Sequence, residues 1–213
     1  MFILDKELIF PPPETADPDG LLAIGGDLSP ERLILAYEQG IFPWFDTLPI
    51  LWWSPNPRFV LFPHKLKVSK TMKKLFKAKT FEVTYDRCFE KVIEECASIK
   101  RKGQIGTWIT PEMKKAYHQL FQMGFVRSVE VWQNNQLVGG LYGVYLKEKQ
   151  VFCGESMFSK VSNASKYGFI SLVEKLKREG IKLIDCQVPT KHLKSFGAEE
   201  ISRQSFLGFL SDK

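Results

Sequence analysis

The chain has 213 residues, of which 44% are apolar and 25% are charged, so a disordered or collagen-like protein is excluded. No apolar run approaches the roughly 18 residues of a membrane span, and the N-terminus lacks a signal-peptide pattern. We therefore expect a cytoplasmic protein with one large domain or two modest ones.

The net charge of +6 is unevenly distributed along the chain. Residues 1–62 carry a net −6, residues 63–80 carry +7, and residues 81–213 carry +5. The middle segment contains seven lysines and no acidic residue. Such a segment is typical of a polyanion site, although lysine-rich solvated faces are also common.

The N-terminal region is rich in Pro, Gly and Trp and contains one clear predicted helix. Ser29 is its expected N-cap, Pro30 occupies its first turn, and Gly40 lies where a left-handed residue ends a helix. This composition predicts a small, loop-rich domain over residues 1–62 and a second domain over residues 63–213.

The basic segment contains the second predicted helix, over residues 69–77. Its lysines are spaced at i, i+3, i+4 and i+7 and so share one face: Lys70, Lys73, Lys74 and Lys77. The opposite face is apolar and can pack inward. Because no acidic residue is interleaved, we favour a nucleic-acid phosphate backbone as the partner over a merely solvated face.

Further helices and strands follow this segment in turn. Residues 80–85 alternate as a strand does, and Asp86 is expected to cap the next helix. Thr110 opens another helix, which should end before Gly124. The four cysteines fall in predicted helices and strands at no zinc-ligand spacing, so we expect reduced thiols and no metal.

The second half of the chain has the order β-β-β-α-β-α-β. Strands Val126–Gln133 and Gln136–Leu146 are joined at Asn134 and Asn135, a strong hairpin signal. The later elements are expected at about 150–158, 163–179, 181–186, 189–196 and 199–203, before a last helical turn. This order predicts an α+β fold whose mixed sheet, flanked by helices, is similar in outline to the GCN5-related acyltransferase fold; that outline alone says little about function.

Polar side chains that could perform chemistry lie at two predicted strands. Asp185 and Gln187 are two residues apart, so on a regular strand they face the same side. A glutamine is too weak to act as a base, but its carbonyl oxygen can accept a hydrogen bond from an amine. Glu155 lies in an apolar strand and should be paired or face a cavity. Taken singly, each position is better explained by structural pairing.

Four tryptophans lie in predicted loops: Trp44, Trp52, Trp53 and Trp108. Loop tryptophans are often core residues. Several of them around one apolar cleft could instead hold an apolar side chain or stack on a nucleic-acid base.

Nine blocks of sequence, in order along nearly the whole chain, resemble the leucyl/phenylalanyl-tRNA–protein transferase family. They are GLLAIGGDLS (20–29), GIFPWF (40–45), WWSPNPR (52–58), TWI (107–109), LVGGLYGV (137–144), GESMFS (154–159), NASK (163–166), DCQ (185–187) and HLKSFGA (192–198). The chain departs from the family at Arg127, where histidine is more usual, in the charged turn 147–149, and near its C-terminus. None of these departures touches the candidate catalytic residues.

The resemblance implies transfer of Leu or Phe, and less readily Met, from aminoacyl-tRNA to proteins that begin with Arg or Lys. The product would be a degradation signal. The tRNA ester is already activated, so no cofactor and no metal are expected. The resemblance implies that Gln187 accepts a hydrogen bond from the acceptor amine and that Asp185 orients Gln187. Glu155 would contact the acceptor or complete that network.

The resemblance also implies where the charged tRNA binds. The aminoacyl pocket would contain Leu141, Phe152, Leu172 and Ile184. Its shape should reject side chains branched at Cβ. Trp44 and Trp108 would lie near the terminal adenosine, and the lysine face would hold the acceptor stem.

Two alternatives from other functional classes stay open on the sequence. A coenzyme A-dependent N-acetyltransferase on the same fold would need a glycine-containing pyrophosphate loop, and the corresponding residues 158–163 contain no glycine. A non-catalytic RNA-binding module would explain the lysine face, but it leaves Glu155, Asp185 and Gln187 without a purpose.

Overall fold

The computed structural model describes residues 2–99 and 108–211, which form the predicted α+β fold. It has two sheets, and the smaller one, in the N-terminal region expected to be loop-rich, was not predicted. The strands are β1 (Phe2–Leu4), β2 (Leu21–Gly25), β3 (Phe42–Pro43), β4 (Leu51–Trp53), β5 (Arg58–Leu61), β6 (Glu82–Tyr85), β7 (Val126–Gln133), β8 (Gln136–Leu146), β9 (Val151–Ser159), β10 (Leu183–Gln187) and β11 (Glu199–Ile201). The helices are α1 (Pro30–Glu38), α2 (Lys70–Lys77), α3 (Phe89–Ser98), α4 (Pro111–Gln122), α5 (Ala164–Arg178), α6 (Lys191–Lys194) and α7 (Arg203–Leu210). Thr107, from the TWI block, lies outside the described residues.

The strands of the first 53 residues form a four-stranded sheet in the order β1-β2-β4-β3. Trp52 on β4 is fully buried, and its indole N–H donates a hydrogen bond to the Gly25 carbonyl at 2.9 Å. The seven-stranded sheet has the order β11-β5-β10-β9-β8-β7-β6, so β5 joins it although it precedes residue 62. The division of the chain at residue 62 stays a prediction.

Local signals in the sequence explain where several elements begin and end. The Ser29 hydroxyl accepts a hydrogen bond from the Arg32 N–H, and Gly40 has a φ of +74° just beyond α1, as predicted. Asn134 and Asn135 both have positive φ and close the β7–β8 hairpin, which confirms that prediction. The φ > 0 requirement is the reason that Asn and Gly are favoured in such turns.

The predicted cap at Asp86 is wrong, because Cys88 is the N-cap residue of α3. Asp86 has a φ of +58°, and its carboxylate accepts from the Ser128 N–H at 2.8 Å and from Arg127. The Asp86 carboxylate is therefore hydrogen-bonded to residues of β7 and does not cap α3. The buried carboxylate of Glu130, on the same strand, accepts from the Arg87 and Cys88 N–H groups instead, at 3.4 Å each.

The candidate site depends on the centre of the larger sheet. There β10 runs parallel to β9 and antiparallel to β5, and β8 lies on the other side of β9. Helix α5 packs closely on this sheet at Gly168, where a Cβ atom would lie 2.7 Å from the Val131 side chain. Helices α3 and α4 also pack against the sheet. None of the helices within residues 2–99 and 108–211 is long and apolar enough to cross a membrane.

Candidate active site

An apolar cavity of about 380 Å³ lies beside the central strands β8, β9 and β10. Three of the four residues predicted for an aminoacyl pocket line it: Leu141, Phe152 and Ile184. Leu172, the fourth, is buried in the same apolar cluster but does not line the cavity. Phe169, which precedes it on α5, lines the cavity in its place. A cavity of this size is typical of a small-molecule site and can enclose an apolar side chain.

Trp44 and Trp108 line the same cavity. The predicted loop position of Trp52 and Trp53 is wrong, because both lie on β4 and pair with β2 and β3. Trp44 is 45% exposed, whereas Trp108 is 9% exposed. Trp53 supports Trp44 by donating its indole N–H to the Trp44 carbonyl at 2.7 Å. The two rings can therefore offer aromatic faces beside the apolar walls, while Trp52 belongs to the core.

A hydrogen-bonded chain of polar side chains reaches the cavity from inside the protein. The Gln187 side-chain amide donates to Glu155 Oε1 at 3.0 Å, and the Tyr117 hydroxyl donates to Glu155 Oε2 at 2.9 Å. Tyr117 in turn shares a hydrogen bond with the hydroxyl of Tyr37. Both tyrosines are buried, on α4 and α1, so this chain links two helices to β9 and β10.

The environment of Glu155 favours its neutral form more than water does. Burial, together with the nearby charge of Asp185, raises the pKa of this carboxyl group from 4.5 to about 7. Hydrogen bonding from the two tyrosines and from Gln187 acts in the opposite direction, because it stabilises the carboxylate. A group with this pKa can both accept and release a proton near neutral pH.

Asp185 is completely buried and paired with Arg58, on the neighbouring strand β5. The guanidinium donates from Nε to Oδ1 at 2.8 Å and from Nη2 to Oδ2 at 2.6 Å. Its third nitrogen donates to the Gly40 carbonyl at 3.1 Å, and the group lies over the rings of Phe42 and Phe206. The charge of Asp185 is thus matched by a fixed bidentate partner.

The side chains of Asp185 and Gln187 do not meet as a regular strand predicts. Gln187 has a φ of +63°, and the pairing of β10 with β5 shifts between these two residues. Asp185 Oδ1 therefore accepts from the Gln187 backbone N–H at 2.9 Å, while Glu155 accepts from the side-chain amide. The carboxylate that orients the Gln187 amide is Glu155 rather than Asp185.

Three residues of this network were not predicted as site residues: Arg58, Tyr37 and Tyr117. Arg58 closes the WWSPNPR block, but its partner is 127 positions away. Tyr117 follows the apolar spacing of α4 and so resembles an ordinary core residue. Only the need of a buried hydroxyl for a polar partner could have distinguished the tyrosines.

The lysine face lies on the surface of α2, away from the lining of the cavity. All four of its lysines are exposed, whereas Met72 is buried and Phe76 stacks on Tyr167 of α5 with ring centroids 3.8 Å apart. The predicted division of this helix into a charged and an apolar face is confirmed.

The cysteines offer neither a metal site nor a nucleophile. Within the described part of the chain, no group of three or more His, Cys, Asp or Glu side chains could hold a metal ion. Cys186 lines the cavity, but burial raises the pKa of its thiol and so disfavours the reactive thiolate.

Sequence comparisons identify similar proteins over nearly the whole chain. The sequence model described as leucyl/phenylalanyl-tRNA protein transferase matches residues 60–211, and the model of its N-terminal domain matches residues 26–56. The leucyl/phenylalanyl-tRNA–protein transferase of Christiangramia forsetii is 59% identical over 211 residues, covering 99% of this chain and all of that protein. The transferase of Flavobacterium johnsoniae is 57% identical over the full length of both chains. A solved structure described as L-PGS from Bacillus licheniformis has a TM-score of 0.44 and 12% identity, covering 81% of this chain and 54% of its own.

Proposed function

The chain belongs to the leucyl/phenylalanyl-tRNA protein transferase family, and on that premise we propose its substrates. The donor is tRNA charged with Leu or Phe, and less readily with Met. The acceptor is the α-amine of a protein that begins with Arg or Lys, and the product is a degradation signal in the cytoplasm. The observation that carries this proposal is the apolar cavity with Glu155 and Gln187 in its wall.

The cavity supports the choice of donor. Leu141, Phe152 and Ile184 form walls against which an unbranched or γ-branched apolar side chain gains buried area. A side chain branched at Cβ places its extra methyl group next to the ester, where the polar wall begins. Trp44 and Trp108 supply faces on which the terminal adenine can stack.

The lysine face supports binding of the tRNA body. Its four exposed lysines lie on one helix that is anchored by apolar contacts to α5. We assign this face to the phosphates of the acceptor stem, a contact that does not depend on base sequence.

Leu172 belongs to the same apolar cluster as the residues that line the aminoacyl pocket, and in our assignment it supports the pocket without touching the aminoacyl group.

The reaction is the aminolysis of an activated ester. The acceptor α-amine has an ordinary pKa of about 8, so a useful fraction is neutral near pH 7. The enzyme must orient this amine and assist removal of its proton. In our assignment the Gln187 carbonyl accepts a hydrogen bond from the amine. Glu155 holds the Gln187 amide, and Asp185 fixes the Gln187 backbone through its N–H.

A transfer assay with defined acceptors tests the proposal. Radiolabelled Phe-tRNA is incubated with peptides that begin with Arg, Lys or Gly, and with an N-acetylated Arg peptide. We expect label on the Arg and Lys peptides only. Gln187→Ala and Asp185→Asn should both reduce transfer at saturating substrate, and full activity in both variants would refute the residue assignment. Acetylation of the same peptides from acetyl-CoA would instead support the N-acetyltransferase alternative.

A further inference from the structure

We propose that Glu155 takes the proton from the acceptor amine, and that Tyr117 and Tyr37 are positioning residues that hold Glu155 for this step. The inference rests on the proposed function, because it concerns the proton transfer of that reaction. It gives Glu155 the role of general base, and it gives Asp185 the role of fixing the Gln187 backbone.

The location of Glu155 fits this role. It lines the cavity next to Gln187, whereas Asp185 is completely buried and does not line the cavity. One Glu155 carboxylate oxygen accepts from Gln187 at 3.0 Å and the other accepts from Tyr117 at 2.9 Å, with Tyr37 as a further donor. A carboxylate has about four acceptor sites, so these three donors leave capacity for an incoming amine proton.

The neighbouring candidates are less suited to hold a proton. Asp185 is held by two short hydrogen bonds from Arg58, and protonation of its carboxylate would break up that ion pair. The Gln187 amide cannot be protonated at neutral pH, but its carbonyl oxygen can direct the amine. The same amide group donates to Glu155, so an amine bound to Gln187 is adjacent to the carboxylate.

The step balances without any co-reactant. The neutral amine attacks the ester carbonyl carbon and forms the C–N bond, and its surplus proton passes to the Glu155 carboxylate. The C–O bond to the ribose breaks, and the neutral Glu155 carboxyl group returns the proton to the departing ribose oxygen. The products are the peptide amide and the free ribose hydroxyl, with Glu155 again ionised.

The two tyrosines hold the Glu155 carboxylate in position at Oε2, whereas Gln187 donates to Oε1. Burial raises the pKa of Tyr117 and of Tyr37 well above 10, so both keep their protons and remain donors at neutral pH. The donation from Tyr117 stabilises the carboxylate and so lowers the pKa of Glu155. Loss of that hydroxyl should raise the pH at which Glu155 becomes an effective base.

Other titratable groups surround this chain of hydrogen bonds. They are Tyr142 on β8, Cys153 on β9, Asp185 with its partner Arg58, and His192 at α6, which also lines the cavity. Burial raises the pKa of Cys153 and lowers the pKa of His192. A pH profile of the wild-type enzyme alone therefore does not identify the base, and the test must compare variants.

The test measures single-turnover transfer of Phe from Phe-tRNA to an Arg peptide between pH 5.5 and about 9, in wild type and Glu155→Gln. Ionisation of the acceptor amine affects both enzymes and cancels in the ratio of their rates. We expect this ratio to rise about tenfold per pH unit below pH 7 and to level off above it. The plateau should be a loss of roughly 100-fold or more in the variant. A ratio that does not change with pH overturns the proposal.

Matched variants separate the base from its structural support. In Tyr117→Phe and in Tyr37→Phe the inflection should move to higher pH, because each variant loses a hydroxyl group that lowers the pKa of Glu155. Tyr145→Phe removes the corresponding tyrosine–glutamate hydrogen bond to Glu179, outside the cavity, and should leave the profile unchanged. A profile of Tyr117→Phe identical to that of wild type would overturn the positioning role.

The roles of the two acidic residues are also distinguishable. The Asp185→Asn variant should keep the pH dependence that Glu155 gives, with its inflection moved to lower pH, because the Asp185 charge that raises the pKa of Glu155 is gone. A pH-dependent ratio for Asp185→Asn with a constant ratio for Glu155→Gln would assign the base to Asp185 instead. If wild type transferred no Phe at any pH, the proposed function itself would fail.

Discussion

Replacement of Arg58 by methionine should destabilise the protein severely, because it leaves the Asp185 carboxylate buried without its partner. Arg58 and Asp185 have exposed side-chain fractions of 1% and 0%, and their two hydrogen bonds are 2.8 and 2.6 Å long. At an effective dielectric constant of about 20, charges about 3 Å apart attract by roughly 5 kcal/mol. Removal of one partner of such a pair costs about 3–5 kcal/mol.

Urea unfolding, monitored by tryptophan fluorescence, measures this loss. The matched control is Lys65→Met, because Lys65 pairs with Glu199 at the surface, with exposed fractions of 47% and 42%. That variant should lose about 0–1 kcal/mol. The double variant Arg58→Met/Asp185→Leu should be more stable than Arg58→Met alone, since no unpaired charge remains. A loss below about 1 kcal/mol for Arg58→Met would refute the reasoning.

Three further predictions concern the substrate. The charge-reversal variant Lys70→Glu/Lys74→Glu should weaken binding of all accepted tRNAs to the same extent. It should also reduce the salt dependence of binding by about two phosphate contacts. A loss of binding confined to one tRNA would contradict the phosphate assignment. Leu141→Phe narrows the cavity. In competition between Phe-tRNA and Leu-tRNA, it should reduce kcat/KM for Phe-tRNA roughly tenfold more than kcat/KM for Leu-tRNA. An unchanged ratio of the two kcat/KM values would argue against Leu141 as a residue that determines donor specificity. Trp108→Ala should weaken binding of Phe-tRNA by about 1–3 kcal/mol. Uncharged tRNA fragments that lack the terminal adenosine should bind this variant as they bind wild type. Equal losses of binding for both ligands would show that Trp108 does not contact the terminal adenosine.

The elements that the sequence predicts well are those defined by local chemistry. The β7–β8 hairpin follows from two consecutive asparagines that tolerate positive φ, and α1 follows from its Ser-Pro start and its Gly40 end. The same local reasoning fails at Asp86, because a neighbouring strand takes up its carboxylate. Whether the Asp86 carboxylate caps α3 or bonds to β7 depends on contacts between distant segments of the chain. The periodicity of the sequence does not predict such contacts.

The candidate site shows the same division. Glu155 and Gln187 are visible in the sequence as polar residues in apolar strands, but the bond between them depends on the left-handed backbone at Gln187. Tyr37 and Tyr117 lie 80 positions apart on apolar helix faces, where a tyrosine resembles any core aromatic residue. Their hydroxyl groups acquire a role only because the fold places a buried carboxylate between the helices and the sheet.

The central claim is that an aminoacyl group moves from tRNA to a protein N-terminus, and mass spectrometry of the acceptor tests it directly. An Arg-starting peptide is incubated with the wild-type chain and Phe-tRNA, without ATP or added metal. We predict that the peptide gains one phenylalanyl residue on its α-amine and that an N-acetylated copy gains nothing. An unmodified Arg peptide, or a modified N-acetylated one, would contradict the account.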